Sequence, residues 1–126
     1  MTLHVLLVDD DELNLTLVSR ILTMEGYKIS KARSGGEAVQ LVIQAKPDLA
    51  ILDVLMPDTN GFELCRRLRQ PPIDAKMPII LLTAGDDKDD REIAQNVGAD
   101  DIWAKPFEID QFRTRIDALL KARRTI

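Results

Sequence analysis

Five short apolar runs, rich in β-branched and aliphatic residues, alternate along the chain with five helix-like stretches. The runs lie at residues 4–8, 27–32, 48–53, 78–83 and 101–105. Most are continuous (VLLV, LAIL, IILL) rather than alternating, the pattern of parallel strands covered on both faces. Between them apolar residues recur at the helical period. Leu17, Val18, Ile21 and Leu22 predict one face of the first helix, and Ile109, Phe112, Ile116, Leu119 and Leu120 one face of the last. Strict β–α alternation builds an α/β, doubly wound parallel sheet with right-handed crossovers. A chain of 126 residues holds one such core, so a single domain over 1–126 is expected.

Local punctuation agrees. Ser34-Gly-Gly-Glu37 is a capping-box pattern opening the second helix. Gly26 and Gly98 stand where the first and fourth helices turn out of their last residues. Asn60-Gly61 signals a turn before the third helix, and three prolines mark Gln70 to Pro78 as a loop.

Composition narrows the function classes. Hydrophobic residues make up 45% and charged residues 30%, the balance of a folded protein rather than a disordered one. The apolar runs fall far short of the ~18 residues a membrane span needs. The first residues lack the pattern of a secretory signal, and one cysteine, Cys65, cannot close an internal disulfide. A cytoplasmic domain without membrane contact is the expectation. A net charge of −4 argues against direct nucleic-acid binding by the domain, and no GxxxxGK or GxGxxG loop supports nucleotide binding. The basic end, Lys121, Arg123 and Arg124, complements a helix C-terminus. His4 begins a strand, at the wrong end for chemistry, and Cys65 falls on an apolar helix face with Leu64 and Leu68; both read as structural.

In an open parallel sheet, chemistry gathers beyond the carboxyl ends of the strands. Here the first strand ends in Asp9-Asp10-Asp11, the third in Asp53, the fourth in Thr83 and the fifth in Lys105-Pro106. A lone aspartate after a strand is often only a helix cap, and Asp11 directly precedes the first helix. Polar residues at the same end of four strands need another explanation. Two carboxylates ~4 Å apart repel by roughly 4 kcal/mol at an effective dielectric of 20. Asp9, Asp10 and Asp53 therefore need compensating cations: Lys105 and a hard divalent ion with oxygen ligands, for which magnesium is suited. A carboxylate beside such an ion can attack phosphorus and form an acyl phosphate. Lysine, metal and the Thr83 hydroxyl then offset charge on the transferring group.

Along nearly its whole length the chain resembles the receiver domain of bacterial response regulators. The matching pieces are VLLVDDDE, LDVLMP, LLTA and GADDIWAKPF, in that order and spacing. The resemblance implies a flavodoxin-like fold of five strands, in order 2-1-3-4-5, with five helices. It implies that Asp53 is the phosphoacceptor, and that Asp10, Asp53 and the backbone carbonyl of Leu55 bind Mg2+, with Asp9 assisting through a water. Thr83 would be the switch hydroxyl and Lys105 its charge partner, aimed by a Lys105-Pro106 bond that is cis in many relatives. A histidine kinase or histidine phosphotransfer protein would donate the phosphoryl group. The fourth helix, fifth strand and fifth helix would form the output face toward an effector or output domain. The fourth helix looks thinly anchored, with only Ile93, Ala94 and Val97 core-facing, and so suited to move. The end at Ile126 suits either a free-standing receiver or the first domain of a longer regulator.

Some positions tune or break the family pattern. Ile102 stands where relatives often carry an aromatic ring that swings inward, which puts the usual threonine-to-aromatic coupling in doubt. Trp103, one residue on, is expected on the opposite face, under a helix. Leu55 and Gly85 flank the route of attacking water in the family. Leu55 should exclude water and Gly85 cannot orient it, which implies a long-lived aspartyl phosphate. In one large subfamily the output face dimerises through salt bridges. Asp101 and Arg115 stand where one pair would form, while Gln111 breaks another, leaving a monomer or a phosphorylation-dependent dimer. Two other readings compete. One is an interaction module that no longer uses phosphorylation, against which the full set Asp9, Asp10, Asp53, Thr83 and Lys105 speaks. The other is a phosphatase of the haloacid-dehalogenase type with Asp9 of Asp9-x-Asp11 as nucleophile, although the glycine and threonine expected after Asp11 are absent.

Overall fold

Aliphatic runs with no polar interruption can be buried only between two helical layers, and that is where the chain puts them. The structure, a computed structural model, describes residues 2–56, 60–84, 88–105 and 109–124, without the side chains of Ile109 and of 120–124. The elements are β1 (His4–Val8), α1 (Glu12–Met24), β2 (Lys28–Ala32), α2 (Gly35–Ala45) and β3 (Leu49–Asp53). After them come α3 (Gly61–Arg69), β4 (Ile79–Thr83), α4 (Lys88–Asn96), β5 (Asp101–Ala104) and α5 (Ile109–Arg124). All five strands pair in parallel, in the order β2-β1-β3-β4-β5. This is the expected doubly wound sheet, and the strand bounds agree to within a residue.

Alternation along the strands builds two cores. Leu6 and Val8 of β1, Ala50 and Leu52 of β3, and Ile79 and Leu81 of β4 pack against α2, α3 and α4. Val5, Leu7, Leu49, Ile51, Ile80 and Leu82 face the other way, onto Leu15 and Leu22 of α1 and Phe112 and Ile116 of α5. β5 follows the same rule. Ile102 lies against the first core and Trp103 in the second, where its ring meets Phe112 edge-on at 5.2 Å. Trp103 thus packs under α5, as expected.

Helix starts are side-chain capped. Asp11 accepts from the backbone N–H of Leu13 and Asn14, Ser34 from Glu37, and Asn60 from Glu63. The Glu37 carboxylate in turn accepts from the Arg33 N–H at 2.7 Å, one residue before the Ser34 cap. Gly26 (φ 98) and Gly98 (φ 89) take the left-handed backbone that leaving α1 and α4 requires. His4 is buried and shares a hydrogen bond with Ser30 Oγ, and Cys65 is fully buried with its thiol directed at the Val97 carbonyl.

Two helix faces differ from expectation. In α1 the buried residues are Leu15 and Leu22, with Val18 packed beside them, whereas Leu17 and Ile21 are exposed. Val18 and Leu22 face inward as expected, but both sides of this helix are aliphatic, and periodicity alone sets the phase part of a turn off. In α4 Ala94 is buried, as is Val97 just beyond it, but Ile93 is 40% exposed. In α5 Phe112 and Ile116 are buried as expected. The side chains of Ile109, Leu120, Lys121, Arg123 and Arg124 lie outside the described residues.

Candidate functional site

Parallel pairing brings the carboxyl ends of four strands together. Asp53 is the last residue of β3 and pairs with Leu82; Thr83, the last of β4, pairs with Ala104. Val8 pairs with Leu52, so Asp9 and Asp10, one and two steps past β1, emerge beside Asp53. Lys105 follows β5, its N–H donating to the Thr83 carbonyl at 2.8 Å.

The side chains converge as the strand-end reading expects. Asp9, Asp10 and Asp53 each offer a carboxylate oxygen, all within 4.8 Å of one another. Lys105 Nζ stands 3.1 Å from Asp53 Oδ1 and 3.6 Å from Asp9 Oδ2. Asp53 and Thr83 are each only 6% exposed, and Asp9 is buried too. Backbone donors hold the carboxylates in place: Asp11 N–H donates to Asp9 Oδ1 at 3.0 Å, and Leu55 N–H to Asp53 Oδ1 at 3.3 Å. Burial pushes the Asp53 carboxyl above its ordinary range. The Lys105 hydrogen bond and charge pull it back, the charge of Asp9 raises it again, and the Leu55 N–H lowers it slightly. Three carboxylates facing one ammonium leave a net negative pocket of oxygen donors, which suits a hard divalent cation.

Other expected residues take different places. Asp11 is exposed and serves as the α1 cap, outside the cluster. Leu55 is 67% exposed. Gly85 and the Lys105-Pro106 bond lie outside the described residues. Asp101 and Arg115 meet within the chain at 3.6 Å. Asp101 also accepts from the Trp103 indole at 2.6 Å, and the Arg115 guanidinium lies over that ring at 5.2 Å.

Two contributors escape the sequence reading. Thr83 Oγ donates to Asp90 Oδ2 of α4 at 3.3 Å. Asp90 stands in an acidic run from Asp86 to Asp90 in which nothing local distinguishes it. Gly61 opens α3 hard against the β3 terminus, and a Cβ there would lie 2.5 Å from the Asp53 carbonyl oxygen. The Asn60-Gly61 pair signalled only a turn.

A five-stranded doubly wound sheet with three carboxylates, a threonine and a lysine at its carboxyl edge defines an α/β domain built around an acidic, cation-suited pocket. Residues 5–117 match the family model of the response regulator receiver domain. Response regulator MprA of Mycolicibacterium vanbaalenii is 39% identical over 121 residues, covering 96% of this chain and 52% of that protein. MprA of Mycobacterium leprae is 40% identical over 119 residues, covering 94% and 51%. The chain thus spans about half the length of these relatives. A response regulator from Chloroflexus aurantiacus superposes with a TM-score of 0.88 at 36% identity, over 96% of this chain and 99% of that one. A CheY-like receiver domain from Methanospirillum hungatei gives 0.89 at 26%, over 99% and 98%. The chain belongs to the response regulator receiver family of two-component systems, a family of signalling domains rather than enzymes of external substrates.

Proposed function

We propose that Asp53 accepts a phosphoryl group from the phosphohistidine of a histidine kinase or histidine phosphotransfer protein. A carboxylate oxygen of Asp53 attacks phosphorus, the bond from phosphorus to the donor imidazole nitrogen breaks, and an acyl phosphate forms while the imidazole leaves with the bonding pair. The observation that carries this is the buried Asp53 carboxylate, 3.1 Å from Lys105 and gathered with Asp9 and Asp10 within 4.8 Å. Asp10, Asp53 and the Leu55 carbonyl would hold Mg2+, with Asp9 acting through a water. Bound there, the ion supplies positive charge to the phosphoryl oxygens. Lys105 adds a second cation, and Thr83 supplies a hydroxyl once it turns from α4.

The phosphoryl group then shifts the balance between two arrangements of α4, β5 and α5, the face toward an effector or output domain. No direct nucleic-acid or membrane contact enters this reading, and no helix among the described residues is long and apolar enough to cross a membrane. We place the domain in the cytoplasm, where its donors act. Leu13, Leu17, Ile21 and Met24 form an exposed apolar stripe along α1, starting beside the pocket. Such a stripe is suited to seat the donor protein.

A phosphatase with Asp9 as nucleophile is disfavoured, because Asp11 is committed to capping α1 and Lys105 lies closer to Asp53 than to Asp9. The test is incubation with magnesium and acetyl phosphate or beryllofluoride, read by intact mass and Trp103 fluorescence. A phosphate-sized mass gain that disappears in Asp53→Ala establishes the acceptor. A gain that survives Asp53→Ala but is lost in Asp9→Ala supports the phosphatase reading. Silence in the unaltered chain points to a module independent of phosphorylation.

A further inference from the structure

Asp90 is the one charged residue of α4 that is partly buried; Lys88, Asp89, Arg91 and Glu92 are exposed. Its carboxylate takes the hydrogen bond of Thr83 at the tip of β4. A hydroxyl has a single proton, so it can serve one anionic acceptor well at any moment. Resting on the phosphoacceptor reading above, we propose that Asp90 is a positioning residue: it holds the Thr83 hydroxyl on α4 and competes with a phosphoryl oxygen on Asp53 for it.

Three observations carry the proposal. Thr83 is 6% exposed, so water competes poorly for its proton and the contest lies between protein and phosphoryl acceptors. The bond to Asp90 is charge-assisted but long at 3.3 Å, where such bonds run to about 2.5–2.7 Å. A restraint of that strength holds the resting state and still yields to a better acceptor. Finally, α4 buries only Ala94 within its own bounds, with Val97 buried just beyond it, so the Asp90 contact adds to a thin apolar attachment. Giving up Asp90 therefore loosens the helix in the same event that completes the phosphoryl site. This route needs no ring at position 102, where Ile102 cannot follow Thr83 inward as an aromatic side chain would.

The test is a double-mutant cycle of Asp90→Ala and Thr83→Ala, with Asp90→Asn as a milder variant and Asp89→Ala as a control for lost charge. Each protein is checked for folding by circular dichroism. Beryllofluoride affinity at fixed magnesium is then read from Trp103 fluorescence, and amide exchange of α4 is measured without ligand. Asp90→Ala should tighten beryllofluoride binding about tenfold, equivalent to about 1.4 kcal/mol, and speed α4 exchange. Asp90→Asn keeps a neutral acceptor and should tighten it less, about threefold, while in the Thr83→Ala background Asp90→Ala should change it by less than about twofold. Unchanged or weaker binding in Asp90→Ala overturns the proposal. So does equal tightening with and without the Thr83 hydroxyl, or from Asp89→Ala, because lost charge then explains it. If the unaltered chain gives no beryllofluoride response, the phosphoacceptor reading falls and this proposal with it. A normal response without Asp90–Thr83 coupling overturns this proposal alone.

Discussion

Asp53 carries a charge in a place that disfavours it. Burial is the largest influence on its carboxyl and acts upward, ahead of the opposing Lys105 bond. A carboxyl whose folded pKa exceeds its unfolded value stabilises the fold fully below the unfolded pKa, here 3.8, and that stability is lost as pH rises through the folded one. At neutral pH the ionised Asp53 is therefore a burden on the fold. Asp53→Asn should raise the melting temperature in chelator at neutral pH, and the gain should vanish once the pH falls below 3.8. Magnesium should shrink the difference, because a cation in the pocket offsets the burden in the unaltered chain alone. A lower melting temperature for Asp53→Asn at neutral pH would show instead that attraction to Lys105 outweighs burial. Cys65 shows the same physics: burial pushes its thiol up to about 11, so almost no thiolate exists at neutral pH.

At the scale of the elements, two positions hold the sheet ends in shape, one beside the site and one far from it. Gly61 has no left-handed backbone; its need is space, because α3 starts against the backbone of Asp53 and Val54. Gly61→Ala should cost about 1–3 kcal/mol as overpacking and should also weaken the beryllofluoride response, since the backbone that must yield carries Asp53. Urea unfolding and the fluorescence titration check the two effects separately. At the opposite end Arg69 donates to the carbonyls of Ala75, Met77 and Gly98 and to the Asp100 carboxylate, which also accepts from Ile79 N–H. Its side chain is 20% exposed. Arg69→Ala should lower stability by about 2 kcal/mol with an unchanged urea m-value, and Arg69→Lys should recover less than half, lacking the planar fork.

These elements also show what the sequence could and could not convey. Strands covered on both faces are written as unbroken apolar runs, so β1, β3 and β4 were legible almost to the residue. The strand-end residues followed, because a parallel sheet collects them at one edge. The phase of α1 was not legible, since Leu13, Leu15, Leu17, Val18, Ile21 and Leu22 form two overlapping stripes and only the packed structure selects one. Neither Gly61 nor Arg69 announced its role, because a close backbone approach and a set of carbonyl acceptors are properties of the folded chain. Asp90 was hidden for a related reason: it is one of several charged residues between Lys88 and Glu92, and its meeting with Thr83 at a strand end is a property of the folded chain.

For the whole molecule the question is whether the output face engages a second copy. Asp101 and Arg115 occupy positions suited to a pair across a symmetric dimer, yet each already has partners within its own chain. The Asp101 carboxylate accepts the Trp103 indole proton at 2.6 Å and lies 3.6 Å from Arg115, whose guanidinium stacks on the same ring. An intermolecular pair would gain one exposed ion pair, worth roughly 0–1 kcal/mol, while loosening this internal set. Gln111, exposed on α5, offers no charge to a second pair. The isolated domain should therefore sediment as a monomer, both alone and saturated with beryllofluoride. Analytical ultracentrifugation over a range of concentrations decides it. Should a beryllofluoride-dependent dimer form, Arg115→Ala distinguishes the causes. Loss of that dimer would show that the internal set opens on activation and re-pairs between chains, whereas persistence would place the contact elsewhere on the α4, β5 and α5 face.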